Sequence, residues 1–481
     1  MKRLSTFFIL LGFGFLVHSQ SLNTAVSTDN LRELEAYVKK YGVNYPQEKL
    51  YPIVAAAKFG RYEFIKFLME NGADINARAY KKRTALMYAI KNNHLEIASY
   101  LLSFNPDLTP RDYKGNTALE IAYKTGNFDE IKSALNENPF VATDGPYIFK
   151  ARNKYNIISI LKDKDGKPYK DHQSVSKKDK ACYAICRNTE GDTLFQFEVR
   201  GKFKPAHDHT FKDVSQIVAI SDIEGNFNEF VKLLVETKVM NDSFEWTFGE
   251  GHLVLLGDFF DRGDQVTECL WLAYHLEQQA KKAGGKSHFL IGNHEEMNLR
   301  GDSRYVNFKY ISNADFIDID YKAFYNTKSI LGRWLRSKNG IIKINGNLFV
   351  HGGISPEFLE KRYTLYTINN IVRNFIAKSQ AIRQKDYQAC DVYNTKKGPL
   401  WYRGLIRGKV EREDIQKILD FYKAQHMIIG HTTVNEITTF YENCVIDIDV
   451  KHSLGDEASR ALLIKDGHYY TVGIGYKKRL F

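Results

Sequence analysis

The sequence predicts three successive architectures in one chain of 481 residues: an α-helical solenoid over 21–142, a small antiparallel β module over 144–213, and an α/β domain over 214–481. Three observations predict them. A helix-pair pattern returns every 33 residues between 50 and 140. Short β-type runs separated by charged turn sequences come next. From residue 214 onward, apolar β-type runs each end in glycine-rich or acidic punctuation, with amphipathic stretches between several of them.

Composition supports a folded chain. Hydrophobic residues make up 43%, charged residues 26% and aromatics 13%, values of a globular protein with ample core-forming side chains. The formal charge of +11 favours anionic partners such as a phosphorylated substrate, a nucleic acid or an acidic surface, without choosing among them. Four Trp and many Tyr show no spaced stacking pattern, so a nucleic-acid platform lacks support.

At the N-terminus, Lys2 and Arg3 precede an apolar run from Leu4 to Val17, and Val17-His18-Ser19 offers a cleavage site. This reads as a secretory signal peptide over residues 1–19, giving an exported protein, periplasmic or secreted. The run is shorter than the roughly 20 apolar residues that cross a bilayer, so no stable membrane anchor is expected after cleavage. No Cys follows it, which argues against a lipid-anchored product. Five cysteines in the whole chain are too few, and odd in number, to be the main scaffold. Cys182 and Cys186 lie on one face of an expected strand and read as paired or buried residues rather than as a metal site.

In the repeat region Ile53, Leu86 and Leu119 recur at the period of 33, as do Ala56, Ala89 and Ala122, then Gly60, Asn93 and Gly126. A small alanine lets two helices approach, and Gly or Asn ends the first helix in a left-handed turn. Thr84 and Thr117 open two units, and Asn71-Gly-Ala-Asp-Ile-Asn76 closes another. The unit resembles the ankyrin repeat, although none of the openings keeps the family's Thr-Pro-Leu-His. A degenerate first unit near Asn30 to Tyr45 is the expected cap. The resemblance implies a protein partner on a concave face; a folded spacer packed against the rest of the chain stands as the alternative.

The β module is expected from Tyr155–Leu161, Ala181–Arg187 and Thr193–Val199, divided by DKDG, KKDK and NTEGD. His207 and His209 flank Asp208 in a charged linker and read as solvated rather than metal-binding.

In the last domain, Gln216–Ser221 runs into Asp222-Ile-Glu224-Gly225, and His252–Leu256 into Gly257-Asp258-Phe-Phe-Asp261-Arg262-Gly263. Ser287–Ile291 runs into Gly292-Asn293-His294-Glu295, Asn347–Val350 into His351-Gly-Gly353, and Met427–Ile429 into Gly430-His431-Thr432. Loops at strand C-termini converge on the ligand site in such folds. Carboxylates, an Asn carbonyl and imidazoles form a mixed oxygen–nitrogen donor set suited to two divalent cations.

The order and spacing of these motifs resemble the calcineurin-like metallophosphoesterases, in their phosphoprotein-phosphatase branch. Two further stretches, Gly292 to Val306 and Pro399-Leu-Trp-Tyr-Arg403-Gly, look like the Shewanella-like bacterial type. The resemblance implies a β-sandwich flanked by helices and hydrolysis of phosphomonoesters, possibly phosphoprotein including phosphotyrosine. It implies Asp258 bridging two metals, Asn293, His351 and His431 completing the second, and Asp222 holding the first. A bridging water, acidified to hydroxide, attacks phosphorus in line. His294 protonates the leaving alkoxide with Asp261 orienting it. Arg262 and Arg403, with Asn293, bind the phosphoryl oxygens.

One departure matters. The family places His two residues after the first Asp, where this chain has Glu224. On a strand, residues i and i+2 share a face, so Glu224 is expected to reach the first metal. An oxygen-only set of Asp222, Glu224 and Asp258 favours manganese or magnesium over zinc, with iron a further candidate. The reading is a working site with altered metal preference, ahead of a slowed or degenerate one, because His294, Asp261 and both arginines are retained. Glu295 reads as a helix cap. Asp447 and Asp449 read either as acceptors behind a metal-binding imidazole or as a solvated strand face. Nucleotide phosphoanhydride or phosphodiester cleavage is the second enzymatic reading, and a catalytically impaired ankyrin-based binding module the third.

Overall fold

The computed structural model describes residues 21–104, 106–133, 141–177, 181–408 and 410–481. The expected signal peptide lies outside them. The chain divides into two compact units, 1–139 and 140–481. No helix among the described residues is long and apolar enough to cross a membrane.

In the first unit, four helix pairs follow one another among the described residues, from Leu22–Thr28 with Leu31–Tyr41 to Ala118–Thr125 with Phe128–Ser133. The expected first unit is thus a full helix pair that starts earlier than its sequence signal. Ala56, Ala89 and Ala122 are wholly buried where helices meet. Gly60, Asn93 and Gly126 all turn through positive φ, at +73°, +62° and +81°. At Gly60 a side chain is also excluded by packing, because a Cβ there would lie 2.7 Å from the His94 ring. Thr84 and Thr117 cap their helices, the latter in a reciprocal box with Glu120. Between repeats, the Asn44 side chain accepts from the Asp74 amide at 2.7 Å and Asn76 repeats this with Asp107 at 2.9 Å. Buried Arg83 and Asp112 pair at 2.8 Å.

The second unit is built on two six-stranded sheets. In one, the order is Tyr476–Arg479, His468–Gly473, Ala461–Lys465, Gln216–Ile220, His252–Leu255 and Lys286–Phe289. The last three strands run parallel. The other runs Thr438–Phe440, Val445–Asp447, His426–Ile429, Asn347–Val350, Ile341–Ile344 and Thr210–Phe211. Here Asn347–Val350, His426–Ile429 and Val445–Asp447 are parallel. Their facing sides interlock through Ala219, Val254, Phe349, Ile428, Ile446 and Leu462, so the sheets form a sandwich. The expected fold class is the one found. Its consequence is that the C-terminal ends of six parallel strands from two sheets open at one edge.

The β module is larger than its sequence signal. Asp144–Lys150, Lys154–Lys162 and Pro168–Ser176 make one antiparallel sheet, and Tyr183–Arg187 pairs with Thr193–Glu198 in a hairpin. Pro168–Ser176 is polar and mostly exposed, which hides the alternation by which strands are recognised. Its partner across the turn at 163–166 supplies the pairing instead. Both small sheets lie on the α/β body: the Trp271 indole donates to the Pro146 carbonyl at 2.9 Å, and Phe197 stacks on Trp271 at 4.4 Å. Helix Val266–Lys282, amphipathic by sequence, is consequently covered over much of its circumference. Cys182 and Cys186 are buried in this packing.

Candidate active site

Every one of the five strand-end motifs reaches the open edge of the sandwich, and glycines let them meet. A Cβ at Gly292 would lie 2.3 Å from the Asp258 carboxylate, and one at Gly430 would lie 2.5 Å from that of Asp222. Asp222, Glu224, Asp258, Asp261, Arg262 and His431 all adopt positive φ, between 48° and 74°. Non-glycine residues rarely occupy that region, and a cluster of them marks a site whose surroundings impose the conformation. The lacing is visible: the Asp222 amide donates to the Gly257 carbonyl at 3.1 Å and the Glu224 amide to the Asp258 carbonyl at 3.0 Å.

At the centre, buried Asp258, His351 and His431 present ligand atoms all within 4.8 Å of one another. The His351 Nδ1–H donates to the Leu256 carbonyl at 2.8 Å, which leaves Nε2 as an acceptor. That Nε2 lies 2.9 Å from Asn293 Oδ1 and 3.0 Å from Asp258 Oδ2. Three acceptors facing one another out of contact with water repel unless a cation or proton lies among them. Burial alone would lower the His351 pKa, but Asp258 and Asp222 overcome it and push it up to about 10, the same demand expressed as protonation. The donor set therefore fits a divalent cation. Asp222 lies against this centre, its Oδ2 accepting from the His431 amide at 3.1 Å.

His294 and Asp261 form a buried pair at 2.5 Å through Nδ1. Asn298 donates to the second Asp261 oxygen at 2.9 Å, and the Tyr321 hydroxyl to Asn298 at 2.6 Å. Nε2 is left facing the centre, 3.8 Å from Asp258. Burial opposes charge on this imidazole, yet Asp258 and Asp261 prevail and hold its pKa above the ordinary value.

The two arginines stand at the rim. Arg262 is about half exposed and pairs with the Glu224 carboxylate. Arg403 donates to the His431 carbonyl and approaches its Nδ1 at 3.3 Å. Contrary to expectation, Glu224 does not share a strand face with Asp222. The strand ends at Ile220. Asp222 and Glu224 lie beyond it in left-handed backbone, where alternation does not apply, and the Glu224 carboxylate is turned to Arg262.

Three acids differ from their sequence readings. Glu295 is wholly buried and does more than cap its helix. One oxygen accepts the Asp258 and Gly292 amides at 2.8 Å each, and the other the Phe259 amide at 2.8 Å. It thereby ties two motif loops together; only the motif's spacing hints at this. Asp447 and Asp449 are buried, which rules out a solvated face. Asp449 accepts from Thr433 at 3.1 Å and Asp447 from the Asp449 amide at 3.0 Å, while His351 finds its support at Leu256. Burial raises both carboxyls well above their usual range. His207 is exposed, and among the described residues neither it nor His209 joins a metal-binding group.

A two-sheet sandwich with an Asp–Asn–His–His centre and an adjacent His–Asp pair defines a metallophosphoesterase, and residues 215–435 match the calcineurin-like phosphoesterase family. Residues 53–144 match ankyrin repeats in three copies. The chain belongs to the Shewanella-like phosphatases within that family, and it is a hydrolase of the phosphatase kind. It is 32% identical to a cold-active protein-tyrosine phosphatase of a psychrophilic Shewanella, with a TM-score of 0.64 over 70% of this chain and 99% of that one. An uncharacterized protein of Schizosaccharomyces pombe is 30% identical over 239 residues, 48% of this chain and 70% of its own. Shewanella-like protein phosphatase 1 of Plasmodium berghei is 28% identical over 248 residues, 50% of this chain and 67% of its own.

Proposed function

We propose that the protein hydrolyses phosphomonoesters, including phosphotyrosine in protein substrates, in a reaction that depends on two divalent cations, manganese first among them. The single observation that carries this is the convergence of Asp258, Asn293 and His351 acceptors beside a buried His294–Asp261 pair. Asp258, Asn293, His351 and His431 would hold one cation, and Asp222 with Asp258 the other. Bound there, such ions neutralise phosphoryl charge and lower the pKa of a water molecule.

The chain's own residues supply the rest. Arg262 and Arg403 bind the phosphoryl oxygens; a planar guanidinium offers paired donors to two of them. Arg262 must share those donors with Glu224, so Glu224 competes with the substrate for them. As a water oxygen bonds to phosphorus and the ester P–O bond breaks, the His294 Nε2 proton passes to the departing oxygen. Asp261 keeps the imidazole in the tautomer and orientation that make Nε2 the donor. Two arginines aimed at a terminal phosphoryl group favour a monoester over a diester.

The phosphotyrosine reading rests on the likeness to the protein-tyrosine phosphatase of Shewanella. The export reading rests on the N-terminal sequence, and a protein partner on the ankyrin repeats. The test is turnover of an aryl phosphate by the full chain with manganese, with metal content measured alongside. About two equivalents per chain, with turnover lost in Asp258→Asn, is the expected result; metal-loaded protein inert toward a panel of phosphomonoesters refutes the reading.

A further inference from the structure

We propose that the second unit carries another anion-binding site, a basic groove that takes a small oligophosphate. It lies at the opposite end of the Lys286–Phe289 strand from Asn293 and His294. The groove has a volume of about 810 Å³ and is walled by the 200–208 segment, the C-terminal part of helix Val266–Lys282, the start of that strand, and residues 334–338.

Its charge does not cancel. Two acids line it, Glu277 and Asp208, and both are engaged by cations. Glu277 accepts from Lys338 and, at 2.7 Å, from the Trp334 indole. Asp208 pairs with Lys286 at 3.6 Å. Arg200 is paired outside the groove, with Glu198 at 2.9 Å. Lys202, Lys204 and Lys281 also line the groove, are exposed, and have no ion-pair partner among the described residues. Three uncompensated ammonium groups facing one concave space produce a focused positive potential that lysines scattered on a convex surface would not.

The lysines are also held in place. Residues 200–208 contain no helix or strand, yet their backbone is fastened at both ends. The Arg200 amide donates to the Tyr274 hydroxyl at 2.8 Å, the Ala206 amide to the Ser337 carbonyl at 3.0 Å, and the Asn339 side chain to the Asp208 carbonyl at 3.1 Å. Lys202 and Lys204 are carried between these anchors, so their backbone needs no ordering when an anion arrives. Phe203 and Trp334 give the groove apolar walls. Lower polarity beside the ammonium groups weakens screening and strengthens each contact. A compact anion with adjacent phosphates matches three point charges converging on a small volume better than an extended chain does.

The probe is tripolyphosphate, titrated calorimetrically into the full chain carrying Asp258→Asn, which removes the central carboxylate of the other site. One equivalent should bind, and more weakly as salt rises from about 0.05 to 0.5 M. Adding Lys202→Glu, Lys204→Glu and Lys281→Glu should weaken binding about tenfold or more, three exposed contacts being lost. The neutral triple change to Gln should weaken it less, and it provides the reading if the charge reversal unfolds the chain. In an otherwise wild-type chain, the same changes should leave aryl phosphate turnover unaltered. The proposal is overturned by no binding, by binding insensitive to these changes but lost with Arg262→Ala and Arg403→Ala, or by a heptaglutamate peptide binding as tightly as tripolyphosphate.

Discussion

Glu295→Gln isolates the residue that joins the Asp258 loop to the Asn293 loop. The carboxylate accepts three backbone amides at 2.8 Å: Asp258 and Gly292 on one oxygen, Phe259 on the other. Glutamine preserves shape but has one acceptor oxygen. If that oxygen keeps the first two amides, the side-chain NH2 must face the Phe259 N–H, donor against donor. A buried amide left without an acceptor costs about 1–3 kcal/mol. The two retained bonds lose their charge assistance, roughly 1 kcal/mol each. The sum is about 3–5 kcal/mol. Urea unfolding followed by tryptophan fluorescence reads the stability, and aryl phosphate kinetics the site. Displacing the two loops by a fraction of an ångström should also lower kcat by about tenfold to a hundredfold, since misplacement near 1 Å costs the latter. A variant within about 1 kcal/mol of wild type, with kcat unchanged, would refute the claim that Glu295 aligns the centre.

Asp258→Asn should abolish turnover and lower bound metal measured by elemental analysis, because a neutral amide lacks the charge with which the Asp258 carboxylate would hold the cations. Asp261→Asn should lower kcat by about 10²–10⁴-fold, the range for losing general-acid function. It should also move the alkaline limb of the kcat/KM profile to lower pH: Asp261 helps raise the His294 pKa, so its loss releases the proton earlier. By the same sign, the His294–Asp261 pair contributes stability that is present below the unfolded imidazole pKa near 6.5 and lost as pH rises through the folded value. Glu224→His should shift metal preference toward zinc or iron, read as bound metal after competition, and should lower KM by releasing Arg262 from its carboxylate. Asp112→Ala should destabilise the repeat unit by about 3–5 kcal/mol, leaving Arg83 buried and unpaired, as measured by thermal unfolding.

Much of the candidate site could be read directly because its groups follow strand ends. Asp258, Asn293, His351 and His431 needed only the alternation of apolar run and punctuation to be recognised. The repeats were equally legible, since a fixed period exposes positions such as Ala89 and Asn93 that mean little singly. The polar strand Pro168–Ser176 escaped because its pairing is supplied by a partner and not by its own pattern. The expected direction of Glu224 failed because strand alternation stops at Ile220, and only the lacing of the next loops reveals the left-handed turns beyond it.

Residue type and spacing determined that this chain would carry helix pairs of period 33 and a strand-end set of metal-binding groups, because local periodicity and motif order belong to the sequence; the resemblance of those motifs to the metallophosphoesterases supplied the chemistry. Tertiary structure alone decided that Glu295 clasps two loops, that Asp447 and Asp449 are buried, and that Glu224 faces Arg262. These are properties of residues distant in sequence, set by which backbone amides and charges packing brings within 3 Å or excludes from water, and no local pattern encodes them.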